Sequence, residues 1–285
     1  MNDEKYNNSS WHLKRIYQAI KKTFVKIRDP KMNTKDSKPK THFGFQQIDS
    51  EDKREKVREV FDNVVEGYDL MNDLMSFGVH RIWKRVAAEM SEIRPDSCFL
   101  DLAGGTGDMT SLIAPRLNQE GLAILSDINE KMLVSGRDKL IDSGLNNFLP
   151  VQLDAQLIPF KQNSFDVISI AFGLRNVTDK EKALNSILYC LKPGGKLIVL
   201  EFSKPTNEII REIYDFYSFE IIPKLGELVL SSEESYRYLA ESIRMHPTQD
   251  ELKELFENCG FKNCNYENLT NGIVAIHTGT KPKEQ

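Results

Sequence analysis

A glycine-rich stretch near the middle of the chain has the residue types that could hold a nucleotide-like ligand. It reads Asp101-Leu-Ala-Gly104-Gly105-Thr106-Gly107-Asp108, after a short apolar segment and before a helical pattern. Glycines let the backbone turn tightly and approach a ligand closely, and the start of a helix presents unpaired N–H groups. An ordinary tight turn has a similar composition, so the loop alone is weak evidence. It fits neither the dinucleotide pattern G-x-G-x-x-G, whose last glycine is replaced by Thr110, nor the P-loop pattern.

Two acidic positions further along the chain favour an adenosine-containing ligand. Asp127 ends the second predicted strand, where a carboxylate can bind both ribose hydroxyls. Capping the next helix is its alternative role, although Asn129 could serve equally well. Asp154-Ala155 follows the third predicted strand, where a carboxylate or a backbone N–H can reach an adenine ring. Because ligands of open α/β sheets bind at the carboxyl ends of the strands, we expect these positions to converge on one crevice.

The elements that would position these residues alternate between strand and helix. Short apolar strands are predicted over residues 98–102, 122–126, 148–153, 165–172 and 196–202. Helices are predicted between them, and Lys192-Pro-Gly-Gly195 is expected to end the helix over 180–191. Such alternation predicts a parallel sheet covered on both faces.

The C-terminal part of the chain follows a different pattern. Helices are predicted near residues 208–222, 233–244 and 249–259, and two further strands flank Asn271-Gly272. Asn-Gly between two apolar stretches is a strong hairpin signal. We therefore expect an α/β fold whose sheet is mostly parallel and ends in an antiparallel hairpin.

Composition restricts the classes of function. The chain has 285 residues, 40% of them hydrophobic, which is enough for one sizeable α/β domain. Its net charge of −4 argues against a nucleic-acid partner. The four cysteines have no metal-ligand spacing, so we expect neither a metal site nor a disulfide framework. No apolar run approaches the roughly 18–20 residues that span a bilayer.

Residues 1–48 differ from the rest and are predicted to form a basic amphipathic extension and a linker ahead of a domain over 49–285. One helical face carries apolar residues, and the remainder is basic: Leu13, Ile16, Tyr17, Ile20, Phe24 and Ile27 lie on the apolar face. Three interpretations remain open: a helix at an anionic membrane surface, a transit peptide for an organelle such as the mitochondrion, and a dispensable extension ahead of a true start at Met32. The reduced cysteines otherwise favour the cytoplasm.

Longer motifs give the chain a specific resemblance. They are His42-Phe-Gly-Phe45, the run from Tyr68 to Lys84, Phe172-Gly-Leu-Arg-Asn-Val-Thr-Asp179, Leu200-Glu-Phe-Ser-Lys204 and Ser235–Arg244. With the glycine loop they make the stretch from Thr41 to Lys281 similar to the ubiquinone/menaquinone biosynthesis C-methyltransferase family. The first 40 residues lie outside the resemblance.

The resemblance implies a Rossmann-like class I methyltransferase with a seven-stranded sheet and S-adenosylmethionine as cofactor. The implied reaction is methyl transfer to a ring carbon of 2-polyprenyl-6-methoxy-1,4-benzoquinol, of demethylmenaquinol, or of both. The implied partner is a polyprenyl quinol at the membrane surface, with a homodimer and association with other quinone-biosynthesis enzymes left open. The alternatives are a small-molecule O- or N-methyltransferase and a non-catalytic scaffold of a quinone-synthesis complex.

The resemblance also implies roles for individual residues. The cofactor-binding positions are Gly105, Thr106, Gly107, Asp127, Asp154 and Ala155. Arg175 and Asn176 are expected to face the substrate. Because arginine stays protonated, Arg175 would stabilise a developing phenolate or orient a water that relays a proton, and Asn176 would hold that water or a ring oxygen. Alternatively, Arg175 pairs with Asp179 or another acid and braces its loop. Many relatives have Ser where this chain has Ala171, so that contact is not expected here.

Overall fold

The structure is a computed structural model that describes residues 40–224 and 233–283. Nine strands occur in these ranges: β1 (Lys40–Phe43), β2 (Gln46–Asp49), β3 (Cys98–Leu102), β4 (Leu122–Asp127), β5 (Phe148–Gln152), β6 (Phe165–Ala171), β7 (Leu191–Phe202), β8 (Lys262–Leu269) and β9 (Val274–Thr280). Nine α-helices of at least six residues accompany them: α1 (Ser50–Val64), α2 (Tyr68–Ser76), α3 (His80–Met90), α4 (Asp108–Ile113), α5 (Glu130–Asp142), α6 (Lys180–Cys190), α7 (Glu208–Phe216), α8 (Glu233–Arg244) and α9 (Gln249–Asn258).

Seven of the strands form one sheet in the order β5-β4-β3-β6-β7-β9-β8. All pairs from β5 to β7 are parallel, and β9 is antiparallel to both of its neighbours, β7 and β8. Successive side chains of a strand point to opposite faces. Phe99 of β3 accordingly packs in one hydrophobic cluster and Leu100 in the other. The expected sheet, covered on both faces and ending in an antiparallel hairpin, is confirmed.

The largest departure inside the sheet concerns the glycines before its fifth strand. We expected a helix to Leu191 and a strand from Lys196, but the helix ends at Cys190 and β7 already begins at Leu191, which pairs with Phe165. This stretch bonds to the chain just after the neighbouring strand β9, since the N–H of Gly194 donates to the carbonyl of Lys281 (2.9 Å). A positive φ of 79° at Gly194 permits the irregular path.

The start of the folded region also differs from expectation. The linker that was expected to reach residue 48 gives way at Lys40 to an antiparallel hairpin formed by β1 and β2. Phe43 of this hairpin stacks on Tyr238 of α8 with ring centroids 4.2 Å apart, and the N–H of Phe45 donates to Glu241 (3.1 Å). These contacts attach residues 40–49 to the domain. The predicted amphipathic face from Leu13 to Ile27 and the start at Met32 lie outside the described residues.

Candidate active site

A cavity lies at the carboxyl ends of β3, β4, β5 and β6, beneath α1. It encloses about 1060 Å³ between protein atoms, part of it open to solvent. Every loop that follows one of these strands contributes to its wall, which includes Gly105, Asp127, Asp154, Ala155 and Asn176. The structure therefore brings together five of the eight predicted site residues. Thr106, Gly107 and Arg175 are not part of the wall.

Asp127 presents a buried carboxylate to this cavity. One oxygen accepts from the N–H of Gly105 (2.9 Å), and the other accepts from the N–H of Asn129 (2.8 Å). Burial raises the pKa of Asp127 to about 6, against the opposing effect of these hydrogen bonds. Lone pairs remain on both oxygens for ligand hydroxyls. Capping of α5 falls to Asn129, which accepts from the N–H of Met132, so the capping alternative for Asp127 is wrong.

The glycines of the loop have separate roles. Gly105, with φ of 53°, faces the cavity, because an added Cβ would lie 3.1 Å from the Met132 methyl group and 3.9 Å from the Tyr68 ring. At Gly107 an added Cβ would instead lie 2.9 Å from Leu140 of α5. Sequence reasoning missed Gly136 of α5, where a Cβ would overlap the carbonyl oxygen of Gly105. Gly107 and Gly136 thus allow α5 to pack closely against the loop, which fixes the position of Gly105.

Buried polar contacts also hold the loop from below. The fully buried Asp101 carboxylate at the end of β3 accepts from the N–H and hydroxyl of Thr110 (3.0 and 2.8 Å) and from the hydroxyl of Ser169 (2.9 Å). Burial raises the pKa of Asp101 to about 6. Since Asp101 lies outside the cavity wall, these bonds tie β3, α4 and β6 together beneath the ligand-binding loop.

Helix α1 covers the cavity and is tied to its rim at both ends. Arg54 forms an ion pair with Asp154 (2.8 Å), and Asp62 pairs with Lys131 (2.9 Å). Between these ties, Val57 and Phe61 of α1 line the cavity. The Arg54–Asp154 pair was not foreseen, because nothing in either residue's sequence neighbourhood indicates the other. Asp154 and Ala155 themselves lie on the wall, as predicted.

Arg175 belongs to the loop after β6, and its side chain is buried beneath that loop and does not line the cavity. Its Nη1 donates to Glu201 of β7 and to the carbonyl of Phe172 (both 2.6 Å), and its backbone N–H donates to the second Glu201 oxygen (3.2 Å). Burial disfavours the charged guanidinium, but the Glu201 carboxylate outweighs this effect and raises the pKa of Arg175. The structure places the Arg175 side chain in a buried ion pair and not on the cavity wall, where a side chain that faces the substrate was expected. The Glu201 carboxylate is almost fully buried, and Arg175 supplies its counter-charge.

Asn176, the neighbour of Arg175, does line the cavity. Its Oδ1 accepts from the hydroxyl of Tyr238 (3.0 Å), which also stacks on Phe43 of the β1–β2 hairpin. Burial raises the pKa of Tyr238, so the phenol stays protonated and remains a donor. Asp179 caps α6 by accepting from the N–H of Lys182 (2.9 Å) and does not pair with Arg175. The bracing interaction considered for Arg175 therefore exists, with Glu201 as its partner.

Comparison with known proteins places this arrangement in a family. Residues 48–281 match the model of the "ubiE/COQ5 methyltransferase family". The chain belongs to this family. It is accordingly an S-adenosylmethionine-dependent methyltransferase, and its relatives are C-methyltransferases.

Relatives from two bacteria show how far the similarity to the ubiE/COQ5 methyltransferase family extends. The chain is 55% identical over 242 residues to the ubiquinone/menaquinone biosynthesis C-methyltransferase UbiE of Teredinibacter turnerae, with 85% of this chain and 97% of that protein covered. It is also 55% identical to the UbiE of Methylococcus capsulatus, with 85% and 98% covered. A SAM-dependent methyltransferase of Aquifex aeolicus has the same fold, with a TM-score of 0.55, 14% identity, and 74% and 96% covered.

The cavity of this ubiE/COQ5 family member suits S-adenosylmethionine. The Asp127 carboxylate is placed to bind ribose hydroxyls, and Ala155 offers an apolar surface for an adenine ring. Gly105 leaves open the space that a Cβ would occupy beside Met132 and Tyr68. These three features fit an adenosine whose ribose carries a methionine chain through a sulfonium sulfur. No helix within the described ranges has the length and apolar character to cross a bilayer.

Proposed function

We propose that this protein transfers a methyl group from S-adenosylmethionine to a ring carbon of a polyprenylated quinol. The substrates would be 2-polyprenyl-6-methoxy-1,4-benzoquinol, demethylmenaquinol, or both. The observation that carries the proposal is the 55% identity, over 97% of its length, to a protein named for ubiquinone and menaquinone biosynthesis. The test is the quinone profile of a cell lacking the protein, in which a demethylated quinone should accumulate and disappear when the gene is restored.

The residues around Asn176 suit a ring that carries a hydroxyl group. S-adenosylmethionine supplies an electrophilic methyl group, and the protein has to hold a nucleophilic carbon in line with it. Because the Tyr238 hydroxyl donates to Oδ1 of Asn176, the amide nitrogen of Asn176 is left to donate to a ring oxygen. Loss of the phenolic proton makes the ring carbon more nucleophilic, so groups that stabilise the phenolate accelerate the transfer. Arg175 contributes to this from beneath the loop by holding Asn176 in place.

The redox state of the ring should decide whether it reacts. We expect methylation of the quinol and none of the corresponding quinone, because an oxidised ring is electron-poor and does not attack an electrophilic methyl group. Product formation is measured by mass spectrometry with purified protein and a short-tailed substrate at controlled reduction potential. Equal rates with quinol and quinone would contradict the mechanism.

We also propose that the substrate is collected at a membrane surface, at the inner face of a bacterial membrane. A polyprenyl chain keeps the substrate in the bilayer, and residues 11–28 have the pattern of a basic interfacial helix. A second apolar surface supports this proposal. Ile209, Ile213 and Phe216 lie on one face of α7 and are 62–68% exposed.

Vesicle sedimentation separates these two contributions. The full-length chain should bind anionic vesicles more tightly than a chain that begins at Met32. High salt should reduce this difference in vesicle binding, because part of the attraction is electrostatic. Ile213→Glu in the shorter chain should remove the remaining binding. Equal binding by the long and short chains would show that the extension is no anchor and would favour the dispensable-extension interpretation.

A further inference from the structure

The turn of the β1–β2 hairpin carries the His42-Phe-Gly-Phe45 motif, which has no part in the function described above. This turn lies against α8 at Glu241. The backbone N–H of Phe45 donates to the Glu241 carboxylate (3.1 Å). Gly44, with φ of 55°, packs so closely on Glu241 that an added Cβ would overlap the carboxylate. A glycine is therefore needed here, and the turn has a fixed position on α8.

Phe43, the residue before this turn, contacts two helices. Its ring stacks on the ring of Tyr238 of α8, with centroids 4.2 Å apart and an interplanar angle of 18°. The ammonium group of Lys56 on α1 lies over the same Phe43 ring, 5.4 Å from its centroid. Tyr238 and Glu241 are three residues apart and share one side of α8. The hairpin fixed at Glu241 thus holds an aromatic ring against Tyr238.

The hydroxyl end of Tyr238 reaches a residue of the cavity wall. Tyr238 is 3% exposed, and its hydroxyl donates to Oδ1 of Asn176 (3.0 Å). Asn176 lines the cavity. Rotating a primary amide by 180° exchanges its oxygen and its nitrogen, and a donor that faces Oδ1 favours the orientation that leaves the nitrogen for a ligand. A continuous series of contacts therefore leads from Phe43 through Tyr238 to Asn176.

We infer that Phe43 is a positioning residue, which acts through the Tyr238 ring to hold the side-chain amide of Asn176 in the orientation that receives the substrate. The consequence for turnover rests on the proposed function, in which this amide donates to a ring oxygen. Without the Phe43 ring, the Tyr238 ring has room to move away from Asn176, and the amide loses its fixed orientation. Methyl transfer depends on alignment, so a small displacement of the substrate ring lowers the rate.

The first test observes the Asn176 amide directly by nuclear magnetic resonance. The full-length protein is prepared with ¹⁵N-labelled asparagine and bound to S-adenosylhomocysteine, and the Asn176 side-chain signal is identified by its loss in Asn176→Gln. Phe43→Leu and Tyr238→Phe should each shift this signal. Phe45→Leu is the matched control, because the exposed Phe45 ring packs on Phe219 and should leave the signal in place. An unshifted signal in Phe43→Leu would overturn the inference.

The second test measures turnover of a short-tailed quinol. Phe43→Leu should decrease kcat by roughly 3- to 10-fold, the range that corresponds to the loss of one aromatic contact. Phe43→Tyr keeps the stacked ring and should retain the wild-type kcat. Calorimetry should show unchanged affinity for S-adenosylmethionine in both variants, because neither Phe43 nor Tyr238 lines the cavity. If the wild type methylates no quinol, the proposed function fails, whereas the Asn176 signal still decides the inference.

A double-mutant cycle separates a role through Tyr238 from a general loss of stability. Tyr238→Phe keeps the stacked ring and removes the hydroxyl that binds Asn176. In that background Phe43→Leu should change neither kcat nor the Asn176 signal any further, although it should lower the melting temperature in both backgrounds. Equal decreases of kcat in the two backgrounds would overturn the inference, since Phe43 would then stabilise the domain without acting through Tyr238.

Discussion

Replacing Arg175 by alanine is expected to lower the free energy of unfolding by about 3–5 kcal/mol, because the substitution leaves a buried carboxylate without its counter-charge. The Arg175 and Glu201 side chains are 3% and 1% exposed and approach to 2.6 Å. The substitution also removes the hydrogen bond to the Phe172 carbonyl, which helps to hold the loop that presents Asn176. Turnover should fall strongly, and affinity for S-adenosylmethionine should stay near normal in the protein that remains folded.

A paired variant distinguishes a structural role of Arg175 from a chemical one. Arg175→Met combined with Glu201→Met removes both charges, and such replacements of buried ion pairs are often close to neutral for stability. If this variant folds but turns over slowly, the guanidinium charge assists the reaction. If turnover returns, Arg175 serves to brace the loop.

The comparison is made by chemical denaturation and single-turnover rates. Arg211→Ala is the matched control, because its ion pair with Glu208 is exposed and should contribute about 0–1 kcal/mol. An Arg175→Ala protein as stable as the wild type would contradict the buried ion pair.

The fold could be predicted because its signals are local. Strands β3 to β6 coincide with short apolar runs between glycine and polar stretches, and their alternation with helices restricts the topology to a mostly parallel sheet. The hairpin of β8 and β9 follows from Asn271-Gly272. The β1–β2 hairpin could not be foreseen, because it is stabilised by packing of Phe43 on Tyr238, which lies far along the chain.

Residues of the site could be predicted where the position of the backbone alone decides whether a residue lines the cavity. Asp127, Asp154 and Ala155 line the cavity because each lies at or just after the carboxyl end of a parallel strand. The partner of Arg175 was not predictable, since Arg175 lies in the loop after β6 and Glu201 is 26 residues further along the chain, on β7. Glu201 did leave one signal: it is an acid that directly follows the apolar run over residues 197–200, and a buried acid needs hydrogen-bond donors or a cation nearby.

The roles of the glycines are a second feature of the site that the sequence could not assign. Gly105, Gly107 and Gly136 all allow close approach, but only Gly105 faces the cavity. A sequence pattern cannot separate a glycine needed for a ligand from one needed for helix packing. The distinction depends on where Leu140 and the Gly105 carbonyl lie when α5 docks against the loop.

Asp127→Ala is expected to weaken S-adenosylmethionine binding by about 1–3 kcal/mol, which corresponds to roughly 5- to 150-fold in affinity. The variant loses charge-assisted hydrogen bonds to the ribose hydroxyls. It also frees the N–H groups of Gly105 and Asn129, which the carboxylate now holds at 2.9 and 2.8 Å. Asp142→Ala, at an exposed position of α5, is the control and should bind the cofactor normally.

The pH dependence of binding provides an independent check on Asp127. Its pKa of about 6 in the free protein means that the carboxylate is ionised at neutral pH and becomes protonated as the pH falls below 6. Ribose hydroxyls that donate to the carboxylate favour the ionised form, so cofactor binding lowers the pKa of Asp127 from its raised value, and affinity decreases as the pH falls through about 6. Calorimetric titration of wild type and Asp127→Ala from pH 8 to about pH 5 should show this decrease only in the wild type. If both proteins lose affinity in parallel, another group titrates and Asp127 does not bind the ribose.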